Sequence, residues 1–145
     1  MGDRRKAREL ALQMLFQDEF NREATQEVPL PLTSSSRQTS QHDFARQIIE
    51  GTRKHRSEID ALIVSHTEHW SSERLAAVDH NILRVALFEM IFLKETPPKV
   101  IINEAIDIAR KYGSEQSGSF VNGVLDAVFR QFSTHMESKM EQVAQ

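Results

Sequence analysis

Residues 99–126, KVIINEAIDIARKYGSEQSGSFVNGVLD, decide the fold. They read as two helices joined at Gly113, with nothing in them suited to catalysis. The first helix follows Pro97-Pro98, a pair that cannot continue a preceding helix. Its apolar residues Ile101, Ala105, Ile108, Ala109 and Tyr112 recur at the spacing of a single buried face. Asn103, Asp107, Arg110 and Lys111 lie on the other side. Glu104 falls in an early turn and Arg110 and Lys111 in the last, the arrangement the helix dipole favours. Gly113 suits a helix C-terminus because glycine takes positive φ without strain. The second helix carries its own stripe, Phe120, Val121, Val124, Leu125, Val128, Phe129 and Phe132. Gly123 and Ala127 add a small-residue ridge along which a neighbouring helix can approach closely.

Upstream, Asp79 is a suitable N-cap for a helix over residues 80–94. That helix is apolar nearly all round, interrupted only by Arg84 and Glu89. At about 1.5 Å per residue it is too short for a bilayer, so the pattern predicts a central core helix. Before it, a helix with Ile59, Leu62 and Ile63 inward starts at Ser57, with Asp60 placed for a capping box. Trp70 lies in the connection that follows, with a short turn near residues 72–75. A further helix runs from about Gln41 to His55, with Phe44, Ile48 and Gly51 as inward candidates. Residues 23–41, with Pro29, Pro31 and three consecutive serines, read as a mobile polar linker. The first helix spans roughly Asp3 to Asn21, and residues 133–145 form a polar tail expected to fray. No repeat or strand-like alternation is visible. The fold class is all-α, about seven helices in one compact bundle.

Composition narrows the function. A chain of 145 residues is one domain by size, and 39% hydrophobic with 27% charged residues is ordinary for a globular protein. The absence of cysteine removes disulfides, thiolate metal sites and thiol nucleophiles, and is compatible with a cytoplasmic location. No apolar run reaches membrane-spanning length, no signal peptide opens the chain, and Met-Gly without Ser or Thr at position 6 is no myristoylation signal. The net charge of −3 is uneven: residues 1–10 hold four cations against Asp3 and Glu9, net +2, which leaves −5 on the rest. An acidic body with a basic end disfavours broad duplex-DNA binding but allows a local anion site.

That end is DRRKARELALQMLFQ, residues 3–17. Arg4, Arg5, Lys6 and Arg8 sit on the first turns of an amphipathic helix whose stripe is Ala7, Leu10, Ala11, Met14 and Leu15. Arginine forks grip phosphate at two points and stack on bases, so the cluster is a candidate nucleic-acid contact; otherwise it is a solvated helix start, where cations oppose the dipole. His66 and His69 at i, i+3 with Glu68 are weak metal ligands without a third convergent group. No catalytic triad, carboxylate pair or glycine-rich phosphate loop can be assembled.

Together, the basic helix, DHNILRVALFE at 79–89, and the INEAI and FVNGVLD blocks resemble the NusB family of bacterial transcription antitermination factors. The resemblance covers residues 4–17 and about 44–132. It implies two three-helix-like halves sharing one core, a single RNA-binding domain over residues 1–132, no enzymatic activity and no cofactor. It implies that Arg4, Arg5, Lys6 and Arg8 contact boxA, a single-stranded element of ribosomal RNA leaders. Phe120 matches an aromatic that meets RNA in the family, though it equally opens the apolar stripe as a core residue; the lysine before it is here Ser119. The implied partner is the ribosomal protein NusE, with other Nus factors and RNA polymerase engaged indirectly. Phe16, Asp79 and Arg84 match the partner-facing region. Phe16 is otherwise a second buried edge, Asp79 a cap, and Arg84 a buried cation that must pair internally if it does not lie at the contact. The alternatives are a non-catalytic helical adaptor or a domain like those fused to ribosomal RNA methyltransferases.

Overall fold

The computed structural model describes residues 2–20, 40–67 and 76–144. Nearly all of the expected linker at 23–41, together with Glu68, His69, Trp70 and the turn at 72–75, lies outside them. Among the described residues there are six α-helices and no strand. They are α1 Gly2–Phe20, α2 Ser40–Lys54, α3 Arg56–Ser65, α4 Ala77–Leu87, α5 Pro98–Tyr112 and α6 Ser117–Ala144. A π-helical segment, Phe88–Leu93, continues α4.

The apolar stripes meet in two clusters joined through α4. Ala7, Ala11, Met14 and Leu15 of α1 pack on Phe44, Ala45, Ile48 and Ile49 of α2 and on Val85 of α4. Ile59 and Ile63 of α3, Ile82, Leu83, Ala86 and Leu87 of α4, and the stripes of α5 and α6 form the larger cluster, which Leu12 enters from α1. Every residue from Asn81 to Glu89 is buried, as expected of a helix apolar on all sides.

The helix ends correct several expectations. The N-cap of α4 is Ala76, in extended conformation, and His80 N–H already bonds the Ala76 carbonyl at 2.9 Å. Asp79 therefore lies inside the first turn, buried, and is not the cap. Ser57 does not cap α3 either. His55 N–H reaches Gly51 O and Ile59 N–H reaches His55 O, both at 3.0 Å, so α2 passes into α3 through a single-residue break that needs no side-chain cap. Asp60 turns instead toward α4, as described below. Gly113 is extended (φ −96°, ψ −164°), not left-handed. Its glycine is required by close approach, since a Cβ there would collide with the Ser117 side chain and the Ala109 carbonyl. The left-handed residue among those described is Lys94 (φ 57°), whose N–H bonds Glu89 O at 2.8 Å and closes the π-helical segment.

Gly51 is needed where Phe88 packs onto α2, because a Cβ would overlap the Phe88 ring. Gly123 is the opposite case. A Cβ there meets nothing within 4 Å, and Gly123 and Ala127 are both exposed, so the expected small-residue ridge faces away from the core. The backbone of α6 runs on as helix to Ala144, through the region read as a polar tail.

Candidate nucleic-acid and partner interface

The basic end of α1 lies against α2 on one side and α5 on the other, and its four cations do not share one environment. Arg4 is exposed; its guanidinium sits 4.5 Å from the centroid of the Phe44 ring and its Nη1 donates to Thr96 Oγ1 at 3.2 Å. Lys6 is exposed. Arg5, with 41% of its side chain accessible, donates from Nε to Glu104 Oε2 at 2.6 Å and from Nη2 to Asp107 Oδ2 at 2.7 Å. The hydrogen bond to Glu104, reinforced by Asp107 against the opposing effect of desolvation, raises the Arg5 guanidinium above its ordinary pKa.

Arg8 departs from the expectation of an RNA contact. It is 5% exposed and forms a two-point pair with Glu89, itself 1% exposed, at 2.7 and 2.9 Å. The reason is helical geometry: Arg8 lies one position from Ala7 and one turn before Leu12, on the face α1 buries against the core. Glu89 was the signal in the sequence, because a lone carboxylate on an apolar helix needs a cation. Of the two readings open to Phe120, the structure shows the core one: at 9% exposure it belongs to the larger core cluster, with Ser119 beside it exposed.

A second constellation joins α1, α3 and α4. Arg84, 2% exposed, donates to Asp60 Oδ1 and Oδ2 at 2.7 and 3.0 Å, to Glu19 Oε1 at 2.6 Å and to Asn81 Oδ1 at 2.9 Å. His80 Nε2 lies 3.2 Å from Asp60 Oδ1. Of the two roles open to Arg84, the structure takes internal pairing, so the guanidinium itself presents no surface. Burial pushes the Asp60 carboxyl upward, but hydrogen bonds from His80 and Arg84 outweigh it and hold Asp60 below the usual carboxylate range. Burial lowers Arg84 while Asp60 and Glu19 raise it, with a net rise. Phe16, on the same helix as Glu19, is part-buried and belongs to neither core cluster.

Of the histidine pair, His66 is described, whereas His69 and the neighbouring Glu68 lie outside the described residues. His66 Nδ1 lies 2.9 Å from Leu62 O and Nε2 lies 2.7 Å from Gln131 Oε1. No group of three metal-binding side chains occurs among the described residues. No described helix is long and apolar enough to cross a membrane.

The geometry defines a small all-helical protein with a basic helix end and an ionic hub around the buried Arg84. A model of the NusB family matches residues 5–130, and the chain belongs to that family. It is 42% identical to the transcription antitermination protein NusB of Syntrophus aciditrophicus over 99% of this chain and 89% of that protein. It is 44% identical to that of Bdellovibrio bacteriovorus over 86% and 93%. Among solved structures, NusB of T. maritima superposes with a TM-score of 0.75 at 40% identity, covering 86% of this chain and 89% of that one. The antitermination factors NusB and NusE in complex with double-stranded RNA give 0.71 at 27% identity, covering 90% and 98%. As a member of this family the chain is not an enzyme.

Proposed function

We propose that this protein is a transcription antitermination factor that binds boxA-like single-stranded RNA of ribosomal RNA leaders together with the ribosomal protein NusE. On this reading residues 1–132 act as one RNA-binding domain in the cytoplasm. The complex joins other Nus factors on RNA polymerase and suppresses termination. The observation that carries the reading is the end of α1, where Arg4 and Lys6 are exposed and Arg5 is half so. Related NusB has been solved with NusE and RNA, which supports both partners. That RNA is double-stranded; the single-strand reading rests on the match of Arg4, Arg5 and Lys6 to the family's boxA-binding motif. Phosphate contacts supply affinity and unstacked bases supply specificity.

Two or three exposed cations on an acidic body hold a short RNA weakly, so NusE supplies further surface beside α1. Phe16 and Asp79 face that partner, and Glu19 and Asp60 border it, held by Arg84 from below. Calorimetric titration of a boxA-type RNA into the protein alone and into its mixture with NusE tests the proposal. Tighter RNA binding in the mixture is expected. RNA affinity that NusE leaves unchanged contradicts the joint site and favours a protein-binding adaptor.

A further inference from the structure

Arg5 differs from its neighbours in the basic cluster. It stays at the surface, yet two of its donor groups are taken by carboxylates from another helix. Glu104 and Asp107 stand at i, i+3 on α5, on one ridge facing α1. Asp107 is 47% and Glu104 24% exposed. The next turn continues the seam with opposite polarity: Lys111 Nζ and the Tyr112 hydroxyl reach Glu9 of α1 at 3.1 and 3.2 Å. The carboxylates thus hold two of the groups with which an arginine forks a phosphate. A phosphate arriving at Arg5 meets two like charges and must displace at least one. That repulsion is local, because surface charges are screened within about 10 Å at 0.1 M salt. Arg4, whose donor bond goes to the neutral Thr96 hydroxyl, and Lys6 lie a residue away on either side and are exposed.

We propose that Glu104 and Asp107 are selectivity determinants of the RNA site: they occupy Arg5 against polyanions in general and yield it only to an RNA already seated on Arg4 and Lys6. The proposal rests on the RNA-binding reading above and deepens it. An RNA whose backbone is held in register by Arg4 and Lys6 presents its next phosphate to Arg5 at high effective concentration, and the exchange of carboxylate for phosphate proceeds. An RNA that sits loosely gains no third contact. The acid pair therefore trades affinity for discrimination, as repulsive elements do at selective interfaces.

The test uses the full chain and two fluorescent RNAs of equal length, a boxA-type oligonucleotide and an oligouridylate. In Glu104→Gln/Asp107→Asn, oligouridylate binding is expected to tighten about tenfold, the size of one charge-assisted contact. Its log-affinity against log-salt slope should steepen by about 0.7. The boxA-type RNA should gain less, so the ratio of the two affinities falls. The single variant Asp107→Asn, which keeps the Glu104 bond, should move both quantities the same way by less. Repeating the substitutions with Arg5→Ala should abolish the gain, which a general change in surface charge would not do. Equal gains for both RNAs, no gain, a loss, or a gain that survives Arg5→Ala overturns the proposal while leaving the RNA reading intact. Wild-type protein that binds neither RNA, alone or mixed with NusE, overturns the RNA reading, and this proposal with it.

Discussion

Arg8 and Glu89 meet across α1 and the π-helical segment through two hydrogen bonds, at 2.7 and 2.9 Å, with both side chains almost fully removed from water. The pair fixes how the basic end of α1 lies on the core. A buried pair is costly to desolvate, and its geometry must be good to offset that cost. Breaking it leaves one charge uncompensated. Arg8→Ala and Glu89→Ala should each lose about 3–5 kcal/mol in urea unfolding. Arg8→Met with Glu89→Leu should recover most of that loss. A surface-sized loss, below about 0.5 kcal/mol, for either single variant would place the pair outside the core.

Arg84 holds a comparable position with three carboxyl or amide partners. Arg84→Ala should lower stability by about 3–5 kcal/mol, since Asp60 and Glu19 lose their shared cation. Any weakening of NusE binding should follow from that disorder, so a conservative Arg84→Lys should retain more of both. A variant of unchanged stability that no longer binds NusE would instead put the guanidinium at the contact.

Asp60 makes the fold sensitive to acid. Its carboxyl is held below its ordinary value, so the folded state binds fewer protons than the unfolded chain as pH falls through the carboxylate range. The stabilisation is fully present above the unfolded value of about 3.9 and is lost as pH drops from there toward the lower folded value. The groups facing Asp60 are His80, Arg84 and Arg56. Asp60→Asn should therefore be less stable than wild type at pH 7, and the gap should narrow between pH 5 and pH 3. A gap independent of pH contradicts the assignment.

Two glycines should respond with opposite signs. Gly51→Ala drives a methyl into the Phe88 ring and should cost about 1–3 kcal/mol. Gly123→Ala meets open space on an exposed helix face and should gain up to about 1 kcal/mol. Leu83→Ala, fully buried in α4, should cost about 2–5 kcal/mol. Melting curves of the three variants decide, and equal shifts for the two glycines would contradict the packing described for α2 and α6.

What was legible in the sequence was periodicity. The stripes of α1, α5 and α6 and the all-round apolarity of α4 predict the bundle, because burial of one face leaves a 3.6-residue signature. What was not legible depends on partners distant in the chain. Arg8 looks like Arg4 and Arg5 in a basic run; its place on the buried face of α1 and its contact with Glu89, 81 positions later, separate it from them. Asp60 fits a capping box by spacing, and only the approach of α4 draws it to Arg84. Gly113 has the composition of a left-handed cap but serves close packing, whereas Lys94 takes the left-handed conformation that no glycine marks.

The most direct test of the RNA reading is the salt dependence of boxA-type RNA binding, compared between wild type and Arg4→Ala/Lys6→Ala. If the exposed end of α1 grips phosphates, log affinity falls with log salt at about −0.7 per contact, and removing two cations flattens the slope by about 1.4. The double variant should bind more weakly while melting at the wild-type temperature, since neither side chain is buried. An unchanged slope and an unchanged affinity in the folded double variant would contradict the account.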